Sequence, residues 1–229
     1  MDGDDVADDR DPRRVREVYD EIAAHFSKTR EYAWPEVEAF LDAQPPAGRG
    51  VDIGCGNGRH LEQLSRKTTA AVGVDISHNL LREAQTRRGR ENWTGALIQG
   101  DATTLPLTSN AVDIAVYVAT IHHLPDRPAR RESLAELARV LRDGGQALVS
   151  AWSTTHDRFD ERAEADVGFD TTVDWTLPGG ETVPRFYHIY TPAEFEADLE
   201  ASPLTMVDSY VASGNCYGEV TVADEGKRP

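Results

Sequence analysis

The middle of the chain alternates between apolar runs and amphipathic segments in a way that is typical of an α/β fold. Short apolar runs predict strands near residues 50–54, 70–75, 95–100, 111–118 and 146–152. Charged and apolar residues at helical spacing predict helices near residues 59–66, 77–88 and 127–142. Because parallel strands need long crossover connections, usually helical, this alternation predicts a parallel sheet with helices on both faces.

The residues before this core predict a short helical extension. Apolar residues at helical spacing indicate an amphipathic helix over residues 12–27. A second helix is predicted to begin at Pro35, because proline suits a first helical position. The proline and glycine residues of 44–50 then mark a break before the first strand.

The C-terminal third departs from the alternation. Residues 153–184 are polar and predict an insertion or lid. A capping box at Thr191 predicts a helix to about Glu200, followed by strands near 204–212 and 215–222. We therefore divide the chain into a helical extension, a core, an insertion, and a C-terminal helix with a hairpin that completes the sheet, over residues 1–44, 45–152, 153–190 and 191–229.

A glycine-rich turn follows the first predicted strand, within residues 51–58. Its GxGxG spacing allows the backbone to approach a ligand closely, and the next helix presents free N–H groups. A dinucleotide fingerprint needs a glycine at position 59, where this chain has Arg59, so a nicotinamide dinucleotide is disfavoured. Asp75 ends the next strand, where a carboxylate can accept hydrogen bonds from two ribose hydroxyls. These features favour S-adenosylmethionine, a cationic nucleoside without phosphates.

Two further carboxylates are placed for the same ligand. Asp52 precedes the first glycine by two residues and suits the ligand's amino group, directly or through water. Asp101 follows the third strand and suits the adenine amino group, while the small Ala102 leaves room for the ring. The structural alternatives are that Asp75 caps the following helix and that Asp101 is a turn residue.

Two adjacent histidines follow the fourth predicted strand, at the carboxyl end of the sheet. Neighbouring side chains do not both point into one crevice, so we expect His122 in the crevice and His123 in the surrounding structure. A purely structural role for either is the alternative. We expect no metal site, because no third ligand lies at a recognisable spacing.

The cysteine count and the hydropathy pattern indicate the cellular compartment in which we expect the protein. Cys55 and Cys216 are too few for a disulfide framework or a zinc site within this chain, and we interpret Cys55 as a small packed residue. No stretch approaches the roughly 20 apolar residues that a membrane span requires. The first nine residues hold five aspartates and no apolar region, so no secretory signal is expected. We expect a protein of the reducing cytoplasm.

The charge composition is strongly acidic. The chain has 40 Asp and Glu against 24 Lys and Arg, a formal net charge of −16, and only three of the cations are lysines. Such a surface suggests adaptation to a halophile's cytoplasm; a GC-rich genome is the alternative, although it explains the scarce lysine and not the surplus of aspartate. A charge of −16 argues against nucleic-acid binding. In molar salt, however, the Debye length shrinks to about 3 Å, and local basic patches decide instead.

Aromatic and basic residues cluster in sequence outside the core. Such side chains can stack on an extruded base or bind an anion, although ordinary packing of a helix and a lid is the alternative. They include His25, Arg30, Trp34, Trp175, Arg185, Tyr187 and His188.

Several motifs together suggest a family. They lie at residues 18–27, 29–30, 34–35, 52–58, 75–77, 121–123, 141–145, 151–152, 175–178, 185–188 and 214–217. This set resembles the tRNA wobble-uridine (5-carboxymethyluridine-34) methyltransferases. The resemblance implies a class I methyltransferase fold, which is a Rossmann-like seven-stranded sheet with its last strand antiparallel. Asp143 replaces the usual proline and Cys216 replaces the usual tryptophan.

The resemblance also implies a reaction, which is methyl transfer from S-adenosylmethionine to the carboxymethyl carboxylate of uridine 34 in the tRNA anticodon loop. The residues that we expect to orient this acid are Arg30, His122 and Tyr187. Those expected to bind the cofactor are Asp52, Gly54, Cys55, Gly56, Gly58, Asp75, Ile76, Asp101, Ala102 and Val118. Those expected to contact the substrate are His25, Trp34, Trp175, Arg185, His188 and Asn215. A small-molecule methyltransferase and a non-catalytic cofactor-binding subunit remain as alternatives.

The family also acts with a small zinc-binding activator subunit. The third predicted strand, residues 96–100, lies at an edge of the sheet in the usual strand order and carries Leu97 and Ile98. An uncovered apolar edge invites a strand from another chain. We therefore expect a heterodimer that pairs at this edge, and no membrane partner.

Overall fold

The structure is a computed structural model that describes residues 10–162 and 167–223. The first nine residues, for which we expect no signal, lie outside this range. The strands are β1 (Ala47–Ile53), β2 (Thr68–Asp75), β3 (Ala96–Gln99), β4 (Val112–Val118), β5 (Leu141–Trp152), β6 (Phe169–Thr176), β7 (Thr182–Ile189), β8 (Thr205–Ala212) and β9 (Asn215–Thr221). The helices are α1 (Pro12–Thr29), α2 (Pro35–Ala43), α3 (Arg59–Lys67), α4 (His78–Glu91), α5 (Arg127–Val140) and α6 (Pro192–Glu200).

Seven of these strands form one sheet in the order β3-β2-β1-β4-β5-β9-β8. Strands β1 to β5 run parallel, whereas β9 lies antiparallel between β5 and β8. The predicted α/β fold with an antiparallel last strand is therefore confirmed. Its carboxyl ends bring together the loops after β1, β2, β3 and β4, as the sheet geometry requires.

Both faces of the sheet are covered, because successive side chains of a strand point to opposite faces. Ala115 and Tyr117 of β4 belong to the apolar cluster that includes residues of α5 and α6. Ile114 and Val116 belong to a second cluster with residues of α2 and α3. The central strand is thus buried on both sides, which is why it reads as a continuous apolar run.

Helix α1 is fastened to the core by a few polar contacts. Its N-cap Asp11 accepts a hydrogen bond from the Arg13 N–H, and its buried face includes Ile22. The Asp20 carboxylate accepts hydrogen bonds from the Ser77 hydroxyl at 2.6 Å and from the Asn79 N–H at 2.9 Å. The extension therefore packs on the start of α4, beside the loop that follows β2.

The polar segment that we predicted as an insertion contains an antiparallel hairpin, which the sequence analysis missed. Strands β6 and β7 pair over their whole length, and Gly179 and Gly180 adopt positive φ values of 115° and 91° in the turn. In β6, Val173 and Trp175 alternate with exposed residues, which is the two-residue period of a strand. The polar composition of the segment obscured this pattern in the sequence.

Boundaries also differ from the prediction at the end of the core. Helix α5 ends at Val140, and β5 begins at Leu141, about five residues before the predicted strand.

Within the described ranges, no helix is long and apolar enough to cross a membrane.

Candidate functional site

A cavity of about 500 Å³ opens at the carboxyl ends of the central strands. Helix α1, the α1–α2 connection, the β6–β7 hairpin and the turn before β9 supply its other walls. Eleven residues proposed from the sequence line it: Arg30, Trp34, Gly54, Gly56, Asp75, Ile76, Asp101, Ala102, His122, Arg185 and Tyr187, and Asn215 joins them at the rim.

The glycine loop forms the floor of the cavity. Gly54, Gly56 and Gly58 have φ values of 69°, 52° and 81°, a region in which a side chain is strained. A Cβ at Gly54 would overlap the Thr120 side chain, so the loop is pressed against the end of β4. Gly58 does not line the cavity and instead faces Trp93 and Ala84, which allows α4 to pack closely.

Asp75 connects the glycine loop to the next helix. Its Oδ2 accepts a hydrogen bond from the Gly56 N–H and its Oδ1 accepts one from the Ser77 N–H, each at 2.8 Å. Burial raises the pKa of Asp75 to about 6, although these two N–H groups oppose the rise. The carboxylate also lines the cavity, so the structural and ligand-binding interpretations of this residue are compatible.

Asp101 lies across the cavity from the glycine loop in the turn after β3. One oxygen, Oδ1, accepts hydrogen bonds from the Thr103 N–H and hydroxyl at 2.8 Å each, as expected of a turn residue. Ile76 and Ala102 line the same region. This end of the cavity therefore presents two carboxylates beside apolar surface.

Three residues proposed as cofactor contacts lie behind the cavity wall. Asp52 is 1% exposed, and burial together with the charge of Asp75 raises its pKa, while the Leu61 N–H opposes this. Cys55 packs against Gly73, and Val118 is buried in the sheet. Direct contact with a ligand in the cavity is not supported for these three side chains.

The two histidines take different roles, although both line the cavity. His123 accepts a hydrogen bond from the Tyr19 hydroxyl at Nε2 (2.7 Å) and donates one from Nδ1 to the Phe186 carbonyl (2.8 Å). Both of its nitrogens are thus occupied, and burial lowers its pKa to about 3. It links α1 to the hairpin.

His122 is held by the end of β5. Its Nδ1 accepts a hydrogen bond from the Trp152 N–H at 2.9 Å, so the neutral ring carries its proton on Nε2. Burial, and then the neighbouring His123 and Arg185, lower the pKa of His122 well below its ordinary value. The centre of the ring lies 4.9 Å from that of the tilted Tyr187 ring, and the ring is a neutral hydrogen-bond donor at physiological pH.

Another part of the cavity wall is cationic, and aromatic rings support it. The guanidinium groups of Arg30 and Arg185 lie 5.2 Å and 4.8 Å from the Trp175 ring centre. Burial lowers the pKa of Arg185, but the hydroxyls of Tyr19 and Tyr187 raise it, and the net direction is upward. Arg185 is therefore a permanent cation, and its Nε is buried without a hydrogen-bond partner within the described residues.

Three proposed substrate contacts do not reach the cavity. The Trp175 indole N–H donates to His25 Nδ1 at 3.1 Å, so these two side chains support Arg30 and Arg185 from outside. His188 lies between Asp170 (2.7 Å) and Glu194 (3.1 Å), which join the hairpin to α6.

Sequence reasoning missed several residues of the site, and two of them belong to or directly follow the glycine loop. Asn57 is 1% exposed and its amide donates to the carbonyl of Arg30 at 2.8 Å, which fixes the end of α1 over the glycine loop. Arg59 lines the cavity with its guanidinium 5.1 Å from the ring centre of Trp34. Both occupy the glycine motif itself, where a buried polar residue was the available signal.

Among the described residues, no cluster of three or more His, Cys, Asp or Glu side chains is placed to hold a metal ion.

Residues 51–149 match the family described as "Methyltransferase domain". A tRNA (carboxymethyluridine(34)-5-O)-methyltransferase from Schizosaccharomyces pombe is 30% identical over an alignment of 207 positions, which covers 82% of this chain and 87% of that protein. The chain belongs to the tRNA (carboxymethyluridine(34)-5-O)-methyltransferase family. Further members are the mouse protein ALKBH8, 39% identical over 152 residues, and a Saccharomyces cerevisiae protein, 32% identical over 179 residues. The matches cover 66% and 78% of this chain but only 22% and 62% of those two proteins.

Solved structures share the fold of this family member. A S-adenosylmethionine-dependent methyltransferase from Methanosarcina mazei has a TM-score of 0.67 at 20% identity and covers 85% of this chain and 100% of its own. A putative methyltransferase in complex with the Haloferax volcanii Trm112 activator has a TM-score of 0.68 at 16% identity, covering 90% and 97%. At these identities the likeness supports the fold alone.

Proposed function

We propose that the chain transfers a methyl group from S-adenosylmethionine to the carboxymethyl carboxylate of uridine 34 in tRNA, giving the methyl ester. One observation carries this proposal beyond family membership. A single cavity is lined both by the carboxylates of Asp75 and Asp101 and by Arg30, Arg185 and the donor His122. The carboxylates suit a nucleoside cation, and the arginines with His122 suit an organic acid.

The residues present fit the cofactor. A backbone cradle without side chains at Gly54 and Gly56 admits a ligand to the floor of the cavity. We expect Asp75 to accept hydrogen bonds from the ribose hydroxyls and Asp101 from the adenine amino group, since each retains acceptor capacity beside its protein contacts. Asp52 lies behind the wall and is not assigned a direct contact. The cofactor supplies a methyl group on a positively charged sulfur.

The chemistry needs orientation more than proton transfer. A carboxylic acid has a pKa near 4 and is ionised at pH 7, so no general base is required. We propose that Arg30, Arg185, His122 and Tyr187 hold the acid so that one oxygen lies in line with the methyl group. The carboxylate oxygen forms the new C–O bond while the S–CH₃ bond breaks and its electron pair returns to sulfur. Alignment of this kind is worth up to about 7–11 kcal/mol in favourable systems.

The aromatic surroundings limit how tightly the acid is held. Arg30 and Arg185 share the face of Trp175, and Tyr187 lies 5.1 Å from the Arg185 guanidinium. These cation–π contacts share the charge of the guanidinium groups with the aromatic rings, so the arginines hold the acid less tightly. The carboxylate oxygen therefore remains nucleophilic.

The assay is incubation of the protein with labelled S-adenosylmethionine and tRNA that carries carboxymethyluridine at position 34, in high salt. Label released from tRNA by mild alkali identifies the ester. tRNA with unmodified uridine 34 is the control and should stay unlabelled. Label that appears only in small molecules of a cell extract would favour the small-molecule methyltransferase that the net charge of −16 suggests.

We propose further that a small zinc-binding activator pairs with the free edge of β3. Among the residues that the structure describes, this strand pairs with β2 alone, and its Leu97 and Ile98 are half-buried at that edge. A partner strand there would satisfy the outward N–H and C=O groups of β3 and cover the apolar side chains.

Pairing at the edge of β3 is tested by co-purifying this protein with an archaeal zinc-binding activator. Leu97→Lys should abolish the complex, whereas Val211→Lys on β8, the opposite edge of the sheet, should leave it intact. Equal effects of the two variants would contradict pairing at β3.

A further inference from the structure

Two polar side chains of the cavity wall take no part in the methyl transfer proposed above. Glu36 lies in the first turn of α2, and His156 follows the end of β5. Both line the cavity and both are half-buried, so a ligand can reach them. An ionised carboxylate only accepts hydrogen bonds, whereas an imidazole N–H donates one. The wall therefore offers one acceptor and one donor that the reaction leaves unused.

The turn between β8 and β9 holds these two side chains close to each other. Ser213 and Gly214 have positive φ values of 51° and 73°, as a two-residue hairpin turn requires. The Ser213 hydroxyl donates a hydrogen bond to Glu36 Oε1 at 3.1 Å. A Cβ at Gly214 would overlap the His156 side chain, so this ring packs directly on the turn. Glu36 and His156 are thus neighbours of two consecutive residues.

His156 lies beside the residues that orient the acid in the proposed reaction. Its Nδ1 accepts a hydrogen bond from the Arg158 N–H at 3.0 Å, so the neutral ring carries its proton on Nε2. The centre of the ring lies 5.0 Å from that of Trp152. The Trp152 N–H in turn donates to His122, and the Trp152 ring centre lies 5.1 Å from that of Tyr187.

The order of these groups along the wall matches the order of atoms around a uracil ring. The carboxymethyl group is attached to C5, the carbonyl at C4 comes next, and N3 with its hydrogen follows. Along the wall, the acid-orienting His122 is followed by the donor His156 and then by the acceptor Glu36. Cytosine carries an amino group at C4 and no hydrogen on N3, so it presents the opposite pattern.

We propose that Glu36 and His156 select uracil at the wobble position, with His156 Nε2 donating to O4 and the Glu36 carboxylate accepting from N3–H. This inference rests on the proposed function, and it adds residues that recognise the base rather than the acid. A site built to hydrogen-bond a polar group rejects an analogue that lacks it, because the groups of the site are then left unpaired. Cytosine would lose both hydrogen bonds and would place the N3 lone pair against the carboxylate.

The experiment compares two anticodon stem-loop RNAs that differ only in the base at position 34. One carries 5-carboxymethyluridine and the other carries 5-carboxymethylcytidine, and kcat/KM for transfer of label from S-adenosylmethionine is measured with each. We expect the wild type to prefer the uridine RNA by about tenfold or more, which corresponds to the loss of one hydrogen bond to a charged group.

Variants assign this preference to the two side chains. In Glu36→Gln the amide still accepts the Ser213 hydroxyl, but it can also donate to N3 of cytosine, so the two RNAs should be methylated at similar rates. His156→Ala should lower kcat/KM for the uridine RNA by about two- to tenfold, as for loss of a hydrogen bond between neutral groups. Glu38→Gln, at an exposed position of the same helix, is the matched control and should keep the wild-type preference.

The dissociation constant of S-adenosylhomocysteine is the second measurement. It should be unchanged in all three variants, and weaker binding in Glu36→Gln would assign Glu36 to the cofactor and overturn the proposal. If Glu36→Gln fails to fold by circular dichroism, the wild-type preference and His156→Ala decide.

The outcomes separate this inference from the proposed function. Equal methylation of the two RNAs by the wild type, or a full preference that survives in Glu36→Gln, overturns base selection and leaves the methyl transfer in place. Methylation of neither RNA overturns both.

Discussion

Asp75 shows how one side chain can shape a loop and remain available to a ligand. Its two oxygens accept the Gly56 and Ser77 N–H groups, so the carboxylate orders the backbone on both sides of the cavity floor. Burial raises its pKa to about 6, so the carboxylate is mostly ionised at neutral pH and becomes protonated as the pH falls through about 6.

Cofactor affinity should consequently depend on pH. Ribose hydroxyls donate to an ionised carboxylate, so binding should be constant above about pH 7 and weaken as the pH falls through about 6, by at most tenfold per pH unit. Calorimetry with S-adenosylhomocysteine between pH 5 and 8 measures this. Asp75→Asn should bind weakly with a flat profile; an equally steep profile in that variant would assign the titration to another group.

His122 is expected to act on the acceptor alone. His122→Ala removes the proposed Nε2 donor, so kcat should fall by about tenfold to a hundredfold, as for loss of a hydrogen bond to a charged group. The dissociation constant of S-adenosylhomocysteine should change little. A large loss of cofactor binding in this variant would show that His122 supports the cofactor side instead.

Residues at strand ends were predictable, and residues whose role depends on packing between distant segments were not. Asp75, Asp101 and His122 follow strands, and parallel strands bring their carboxyl ends together whatever the loops do. The role of Asn57 depends on its contact with the Arg30 carbonyl, which only the docking of α1 creates. For the same reason His188, with its aromatic neighbours in sequence, appeared to be a substrate contact.

At the scale of elements, the β6–β7 hairpin depends on a buried charged cluster. His188 Nδ1 contacts Asp170 and Nε2 contacts Glu194, and the Arg130 guanidinium lies 3.9 Å from Glu194. Burial lowers the pKa of His188, but the two carboxylates outweigh it and raise the pKa above its ordinary value. The doubly protonated ring can donate to both carboxylates, and it joins the hairpin to α6.

This cluster gives stability a defined pH dependence. Because the folded pKa of His188 lies above the unfolded value of about 6.5, its stabilisation is complete below pH 6.5 and is lost as the pH rises through the folded pKa. In urea unfolding at constant salt, the difference between wild type and His188→Gln should be larger at pH 5.5 than at pH 8.5. His78→Gln, at an exposed site, should show no such change.

The β6–β7 hairpin shows which kind of strand the sequence pattern did not reveal. Strands β1, β2, β4 and β5 were found because burial on both faces makes part of each strand continuously apolar. Strand β6 has only one buried face, which Val173 and Trp175 occupy, and apart from Phe169 its other residues are polar. Its weak alternation needed the partner β7 to become recognisable.

For the whole molecule, charge is the dominant feature. A net charge of −16 produces self-repulsion in the folded state, which salt screens over about 3 Å at 1 M. If the acidic surface is an adaptation to salt, the melting temperature should rise by several degrees between 0.2 and 2 M KCl. Scanning calorimetry over this range, with sorbitol as a non-ionic control, measures it. A melting temperature that is unchanged above 0.2 M would favour the GC-rich genome instead.

The place of β9 between β5 and β8 has a consequence for synthesis on the ribosome. Strand β5 is translated by Trp152, yet the strand that covers its edge begins only at Asn215. The nascent chain must therefore keep an apolar edge exposed while the hairpin and α6 emerge, a stage at which chaperones protect such edges. Asn215 and Tyr217 also line the cavity, so its wall is complete only after these residues have been translated.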